Sequence, residues 1–127
     1  MNLTNSNREL TAEVEELSGE NVYSCYQCGK CSAGCPFTEE MDLLPNQVIR
    51  KVQMGNEGVL EAETPWICAS CLSCEVDCPQ GNDVPAIMEG IREISLRLNV
   101  DRVDLDEIET KELPEIALVS NLRKKTG

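Results

Sequence analysis

Cys25, Cys28, Cys31 and Cys35 stand within eleven residues at the spacing C-x2-C-x2-C-x3-C, and Pro36 follows the last of them. The same spacing returns 43 residues later as Cys68, Cys71, Cys74 and Cys78, followed by Pro79. All 8 cysteines of the chain belong to these two runs. Thiols packed this closely can pair as disulfides, hold zinc, or hold iron–sulfur clusters. Cysteines three apart on a tight loop pair poorly as disulfides. Structural zinc usually draws on two C-x2-C pairs or on cysteine with histidine, four ligands per ion. Three evenly spaced cysteines with an offset fourth suit two 4Fe–4S clusters best.

This spacing is a known cluster-binding run, and in two-cluster proteins its fourth cysteine ligates the other cluster. On that pattern the ligation is crossed. Cys25, Cys28, Cys31 and Cys78 hold one cluster, and Cys68, Cys71, Cys74 and Cys35 hold the other. The reach allows it, because four extended residues span at most roughly 13–14 Å. Pro36 fixes φ, removes an N–H and re-aims the chain. The repeat then serves to staple two cubes side by side, as stepwise electron passage requires. Gly29 and Gly34 inside the first loop either let backbone N–H groups approach the cluster or only satisfy turns with φ > 0. Ala69 and Ser70 replace Tyr26 and Gln27 in the second loop, so the two surroundings differ.

Composition excludes several other functions. The chain has 127 residues, enough for one small domain with tails. It has no histidine, so the usual general base and the histidine-paired nucleophiles are missing. Every thiol is committed to the runs, and "GNEG" at 55–58 is a weak fragment rather than a phosphate loop. No catalytic residue is expected in this chain. A formal charge of −12 repels nucleic acid. No apolar run approaches the roughly 20 residues of a membrane helix, and the first residues do not read as a signal peptide. The expected location is the cytoplasm, where clustered cysteines bind metal more often than they form disulfides.

Helices must position the two loops. "NRELTAEVEELSG" presents Leu10, Val14 and Leu17 on one face, with Ser6 and Glu9 as a capping box and Gly19 as the stop. In the 32 residues between the runs, Pro45 opens a helix with Val48, Ile49 and Val52 on its face and Gly55 at its end. "EGVLEAE" reads as a second short helix ending near Thr64 and Pro65. Pro85 opens a last helix with Ile87, Ile91, Ile94 and Leu98 in a stripe, and Arg92 elsewhere on its surface. The aromatics are only 3% of the chain: Tyr23, Tyr26, Phe37 and Trp66. Each lies within two residues of a run cysteine, so they either shield the clusters from water or, the reading favoured here, form ordinary core around them. The fold class is mostly α, a helical ferredoxin-like domain wrapped around two clusters.

Together "CYQCGKCSAGCP", "LPNQVIRKVQMG", "WICASCLSCEVDCP" and "DVPAIMEGIREI" resemble the C subunit of heterodisulfide reductase. The resemblance covers roughly residues 20 to 98 and implies an α-helical ferredoxin fold. All eight cysteines match the family's ligand positions. It further implies a cytoplasmic complex from an anaerobe. In such a complex an A-type subunit bears flavin and further clusters and bifurcates electrons. A B-type subunit reduces the disulfide of coenzyme M and coenzyme B, the terminal step of methanogenesis, and the C subunit wires one to the other. The domain division expected is an arm at 1–20, the two-cluster domain at 21–98, and a tail at 99–127 that is disordered or docks on a partner. Three alternatives stay open: a free two-cluster ferredoxin, an iron–sulfur subunit of another anaerobic oxidoreductase, and a zinc-bound adaptor.

Overall fold

The computed structural model describes residues 5–97, 111 and 113–126. Among these the secondary structure is helical, with no strand. They divide after Ile94 into two units. The first carries both cysteine runs.

α1, Asn5–Ser18, forms because Leu10, Val14 and Leu17 recur at helical spacing and turn to one side. It stops at Gly19, whose φ of 72° is open to glycine at no steric cost, and whose N–H still reaches the Glu15 carbonyl at 2.9 Å. The side chain of Ser6 lies outside the described residues, and so does the capping box expected there. After the first run comes the five-residue helix α2, Lys30–Gly34.

α3, Pro45–Gln53, starts on a proline whose missing N–H costs nothing in a first turn. The Gln47 side chain accepts the Leu44 N–H at 3.0 Å. Gly55 and Asn56 close the other end by donating to Val52 and Lys51. The short α4, Thr64–Ile67, and α5, Ser73–Asp77, flank the middle of the second run. Asp83 caps α6, Val84–Arg97, by accepting the Ala86 N–H at 2.9 Å.

One aliphatic core joins α1, α3 and α6. Val14, Val22, Val48, Val52, Val59 and Ile87 are fully enclosed, and Ile49, Met88 and Ile91 nearly so. Burying each such side chain contributes about 1.5–3 kcal/mol. The Thr11 hydroxyl, buried in the same core, donates to the Val52 carbonyl at 2.7 Å and ties α1 to the end of α3. The isoleucine stripe of α6 is core as expected for Ile87, Ile91 and Ile94, while Leu98 lies outside the described residues.

Two local expectations are overturned and a third is extended. "EGVLEAE" makes only a 3-10 turn at Glu57–Val59, and Thr64 and Pro65 begin a helix instead of ending one. The four aromatics are not core. Tyr23, Tyr26 and Trp66 are more than half exposed and Phe37 is 38% exposed, because aliphatic side chains already fill the space between the helices. Arg92 is not merely on the surface of α6. Its guanidinium donates to the Cys68 carbonyl at 3.3 Å.

Asp42 fixes the approach to the second run. Its carboxylate accepts the Thr64 hydroxyl at 2.6 Å, the Thr64 N–H at 3.0 Å and the Glu63 N–H at 3.1 Å, capping α4. The Thr64 hydroxyl above all, with the backbone N–H groups, holds this carboxyl below the usual aspartate range against the opposing effect of desolvation. The lowered value means the cap stabilises fully above the unfolded aspartate pKa, about 3.9, and the gain vanishes as pH falls through the lower folded value. Asp42→Ala should therefore cost about 1 kcal/mol near neutral pH, the usual loss for a helix cap. Urea unfolding of both proteins from pH 7 downward should show that difference shrinking only in the acid range. A difference constant with pH would mean that the carboxylate's charge is not what caps the helix.

The second unit is described by α7, Glu115–Thr126, on which Ile116, Val119 and Leu122 are exposed. Most of the segment 99–114 lies outside the described residues. No helix among the described residues is long and apolar enough to cross a membrane.

Candidate metal centre

The two runs repeat in backbone geometry as well as in sequence. Gln27 and Ser70 stand at the same place in each run, with φ of 64° and 52°. Gly29 and Leu72 are likewise equivalent, with φ of 80° and 64°. Each left-handed residue bends the loop so that successive cysteines face one side. Glycine adopts this freely at position 29, which makes Gly29 a turn requirement. Leu72 adopts it at a cost of roughly 1–2 kcal/mol, and keeps its side chain 48% exposed. Gly34 lies in α2, where a Cβ would meet only the tip of the Asp77 side chain of α5, against which α2 packs, and that carboxylate can swing aside.

Each run then leaves its loop through a helical turn, α2 or α5. Cys35 follows α2 with φ −78° and ψ 123°, and Cys78 follows α5 with φ −73° and ψ 119°. The proline after each forces this extended conformation on its predecessor. The step from the third to the fourth cysteine is thus about one helical turn, some 6 Å of rise, rather than an extended reach. It suffices because α2 and α5 lie side by side.

The eight thiols gather around two recesses. Cys25, Cys28, Cys31 and Cys78 line one. Cys68, Cys71, Cys74 and Cys35 line the other. Val84, the first residue of α6, is part of both walls. In each run the second cysteine is exposed, Cys28 and Cys71, and only Cys31 is classed as buried. Among the described residues no three cysteine, aspartate or glutamate side chains close on a point as ligands of a single ion do. The thiols of each recess stand around a volume instead.

The electrostatics suit an anionic cluster with a cationic core. Burial first, then the neighbouring Cys68 and Cys31 thiols, push the Cys74 thiol up to about 12. Burial chiefly raises Cys31 as well. Four thiolates in such a recess repel one another unless positive metal lies among them. Cys71, at the rim, is lowered by the Ser73 hydroxyl. Helix N-termini carry partial positive charge, and the first turns of α3 and α6 both abut the recesses. Pro45 and Asn46 come from α3, and Val84 and Pro85 from α6.

The two recesses differ in their walls. Around the first, the Asn82 N–H donates to Cys78 Sγ at 3.4 Å and Gln27 Nε2 to Cys25 Sγ at 3.5 Å. Gln53 Nε2 donates to the carbonyls of Val22 and Cys25, at 2.7 and 3.0 Å, holding the loop from behind. The second is walled by Phe37, Met41, Pro85 and Met88. Sequence reading did not single out Asn46, Gln53, Asn82 or Arg92 as part of the site. Scattered polar residues carry no periodic signal, and only the packing of α3 and α6 brings them here.

A fold of short helices around two adjacent four-thiol recesses defines a class, the helical iron–sulfur domain. Residues 21–82 match the family described as 4Fe–4S dicluster domain. The resemblance to the C subunit of heterodisulfide reductase is also borne out. The chain is 38% identical over 72 residues to the C subunit of the ferredoxin:CoB-CoM heterodisulfide reductase of Methanosarcina acetivorans, covering 57% of this chain and 29% of that one. It is 32% identical over 76 residues to the second iron–sulfur C subunit of the CoB–CoM heterodisulfide reductase of Methanocaldococcus jannaschii, covering 60% and 41%. The C subunit of the H2:CoB-CoM heterodisulfide,ferredoxin reductase of Methanothermobacter marburgensis is 30% identical over 77 residues, covering 60% and 42%. The chain spans less than half the length of each of these relatives.

Proposed function

We propose that this chain is the electron-relay subunit of a heterodisulfide reductase-type complex. It passes electrons through two 4Fe–4S clusters between an A-type subunit with flavin and clusters and a B-type subunit that reduces a disulfide. The observation that carries the reading is the pair of adjacent four-thiol recesses sharing the Val84 wall. Cys25, Cys28, Cys31 and Cys78 hold one cluster, and Cys68, Cys71, Cys74 and Cys35 the other. Each cluster, when bound, accepts and releases one electron with no bond made or broken at the protein.

The chain's own residues do the rest. The thiolates fix the clusters in place, and the crossed fourth cysteines lock α2 and α5 together. Phe37, Met41 and Met88 keep water from the second site. The exposed second cysteines of the runs, Cys28 and Cys71, bring an edge of each site to the surface, where electrons enter and leave. No residue here acts on the substrate. The disulfide chemistry belongs to the B-type partner, with the coenzyme M–coenzyme B heterodisulfide as its substrate, in the cytoplasm. Residues 21–98 form the relay domain, with α1 of the segment 1–20 packed into its core, and 99–127, with the exposed apolar face of α7, is the part that docks on a partner.

Protein prepared without oxygen should contain about eight iron and about eight labile sulfide per chain. Mixed with A- and B-type subunits, it should co-migrate with both and pass electrons from one to the other. Zinc without sulfide overturns the cluster reading. A fully loaded chain that stays a monomer and binds neither subunit overturns the complex and leaves a free two-cluster ferredoxin.

A further inference from the structure

Asn82 is only 4% exposed, and its Nδ2 is buried with no hydrogen-bond partner. It is the one such side-chain atom among the described residues. Leaving an amide donor unmet in an interior costs about 1–3 kcal/mol. The residue lines the first recess, together with Cys25, Cys28, Cys31 and Cys78. Its surroundings fix how the amide lies. Oδ1 accepts from the Ser24 hydroxyl. That hydroxyl also has the Asn21 carbonyl at 2.7 Å, which accepts the Ser24 N–H at 3.2 Å as well, so it is the thiols of the recess that decide how the amide lies. The flipped amide would donate to Ser24 and turn a carbonyl oxygen toward four thiolates, which repel it. The backbone is equally committed. Gly81 makes a left-handed turn with φ 69°, the Asn82 N–H goes to Cys78 Sγ, and Asp83 caps α6.

We propose that the Asn82 carboxamide donates from Nδ2 to a sulfur of the cluster held by Cys25, Cys28, Cys31 and Cys78, and so raises the reduction potential of that cluster alone. The inference rests on the proposed two-cluster site. Its physical basis is that a reduced cluster carries one more negative charge, so a donor aimed at it favours the reduced form. Among the described residues, no side chain in the wall of the second recess offers a buried amide in this way. Arg92, beside that run, donates to the Cys68 carbonyl and the Ser70 hydroxyl instead. Asn82 acts directly on the potential of its cluster and not on any substrate.

The test is an EPR-monitored redox titration of the holo chain, wild type against Asn82→Leu and Asn82→Asp. Asn82→Asp keeps the Ser24 bond and the shape of the side chain, and serves if the leucine variant does not load. Iron and sulfide are counted first. A wild type without them sinks the two-cluster reading itself, separately from this proposal. With both clusters present, one of them should become harder to reduce by about tenfold in its reduction constant, or about 59 mV for one electron, the other staying unchanged. In heavy water the reduced wild type should also show a further exchangeable deuteron coupled to that cluster, beyond those of the Asn82 N–H and the Gln27 amide at its ligand sulfurs, and both variants should lose that one. Unmoved potentials, equal shifts at both clusters, or a set of coupled deuterons unchanged by the substitution would overturn the assignment.

Discussion

Cys35→Ser is expected to strip or disturb the cluster held by Cys68, Cys71 and Cys74, and to spare the one next to Cys35 in sequence. Of about eight iron atoms, about four should become labile. A serine oxygen is a harder ligand than thiolate, so a cluster that survives should shift in potential. The reason lies in α2. Cys31 faces the first recess, and one helical turn later Cys35 lines the second. Cys78→Ser should give the reciprocal result, disturbing the cluster of Cys25, Cys28 and Cys31. The two surroundings differ, amides and a glycine loop against methionines and a phenylalanine, so the two signals can be told apart. Cys35 Sγ found on the same cube as Cys31 Sγ would sink the crossed ligation, and with it the explanation of why the run occurs twice.

Removing the iron is expected to dismantle the cysteine loops and leave the aliphatic core. α5 buries no residue and α2 only Cys31, so neither short helix has an apolar face to hold it once its ligands are free. Isolated helices of five residues are far below the length that is stable in water. α1, α3 and α6 differ, since their buried valines, isoleucines and Met88 pack on one another without the loops. In the apo chain, amides of residues 25–37 and 68–80 should exchange at nearly the rate of an unfolded chain. Those at the centres of α3 and α6 should keep partial protection. The cooperative thermal transition should broaden or disappear, because metal binding here is a large part of folding. Apo protein that melts in one sharp transition, with the loops still protected, would show that the fold does not depend on the clusters.

The four exposed aromatics bear on both results. Tyr23, Tyr26, Phe37 and Trp66 read as core in the sequence because they sit beside cysteines. In the fold they rim the loops, partly in water. Their removal should therefore matter less to stability than the removal of any one of Val52, Ile87 or Ile91.

The thiols of the candidate site were legible in the chain because their spacing is local. Three thiols at C-x2-C-x2-C spacing can serve one site only through a tight loop, and the prolines after Cys35 and Cys78 end each loop in an extended residue whatever surrounds it. The same holds for α1, α3 and α6, where apolar spacing, Pro45 and the glycines at 19 and 55 act within one or two turns. Which fourth cysteine joins which recess depends on α2 lying against α5. That contact joins segments on either side of the long insert, with Gly34 of α2 set against Asp77 of α5. The polar wall of the first recess is likewise tertiary. Asn46, Gln53 and Asn82 come from separate stretches of the chain, and no spacing links them. The sequence determined that eight thiols would be presented in two loops, since that follows from short-range sterics and ligand chemistry. The tertiary structure alone decided that the loops would lie side by side and that one site would be ringed by amides and the other by apolar side chains, because only packing between distant helices can place those groups.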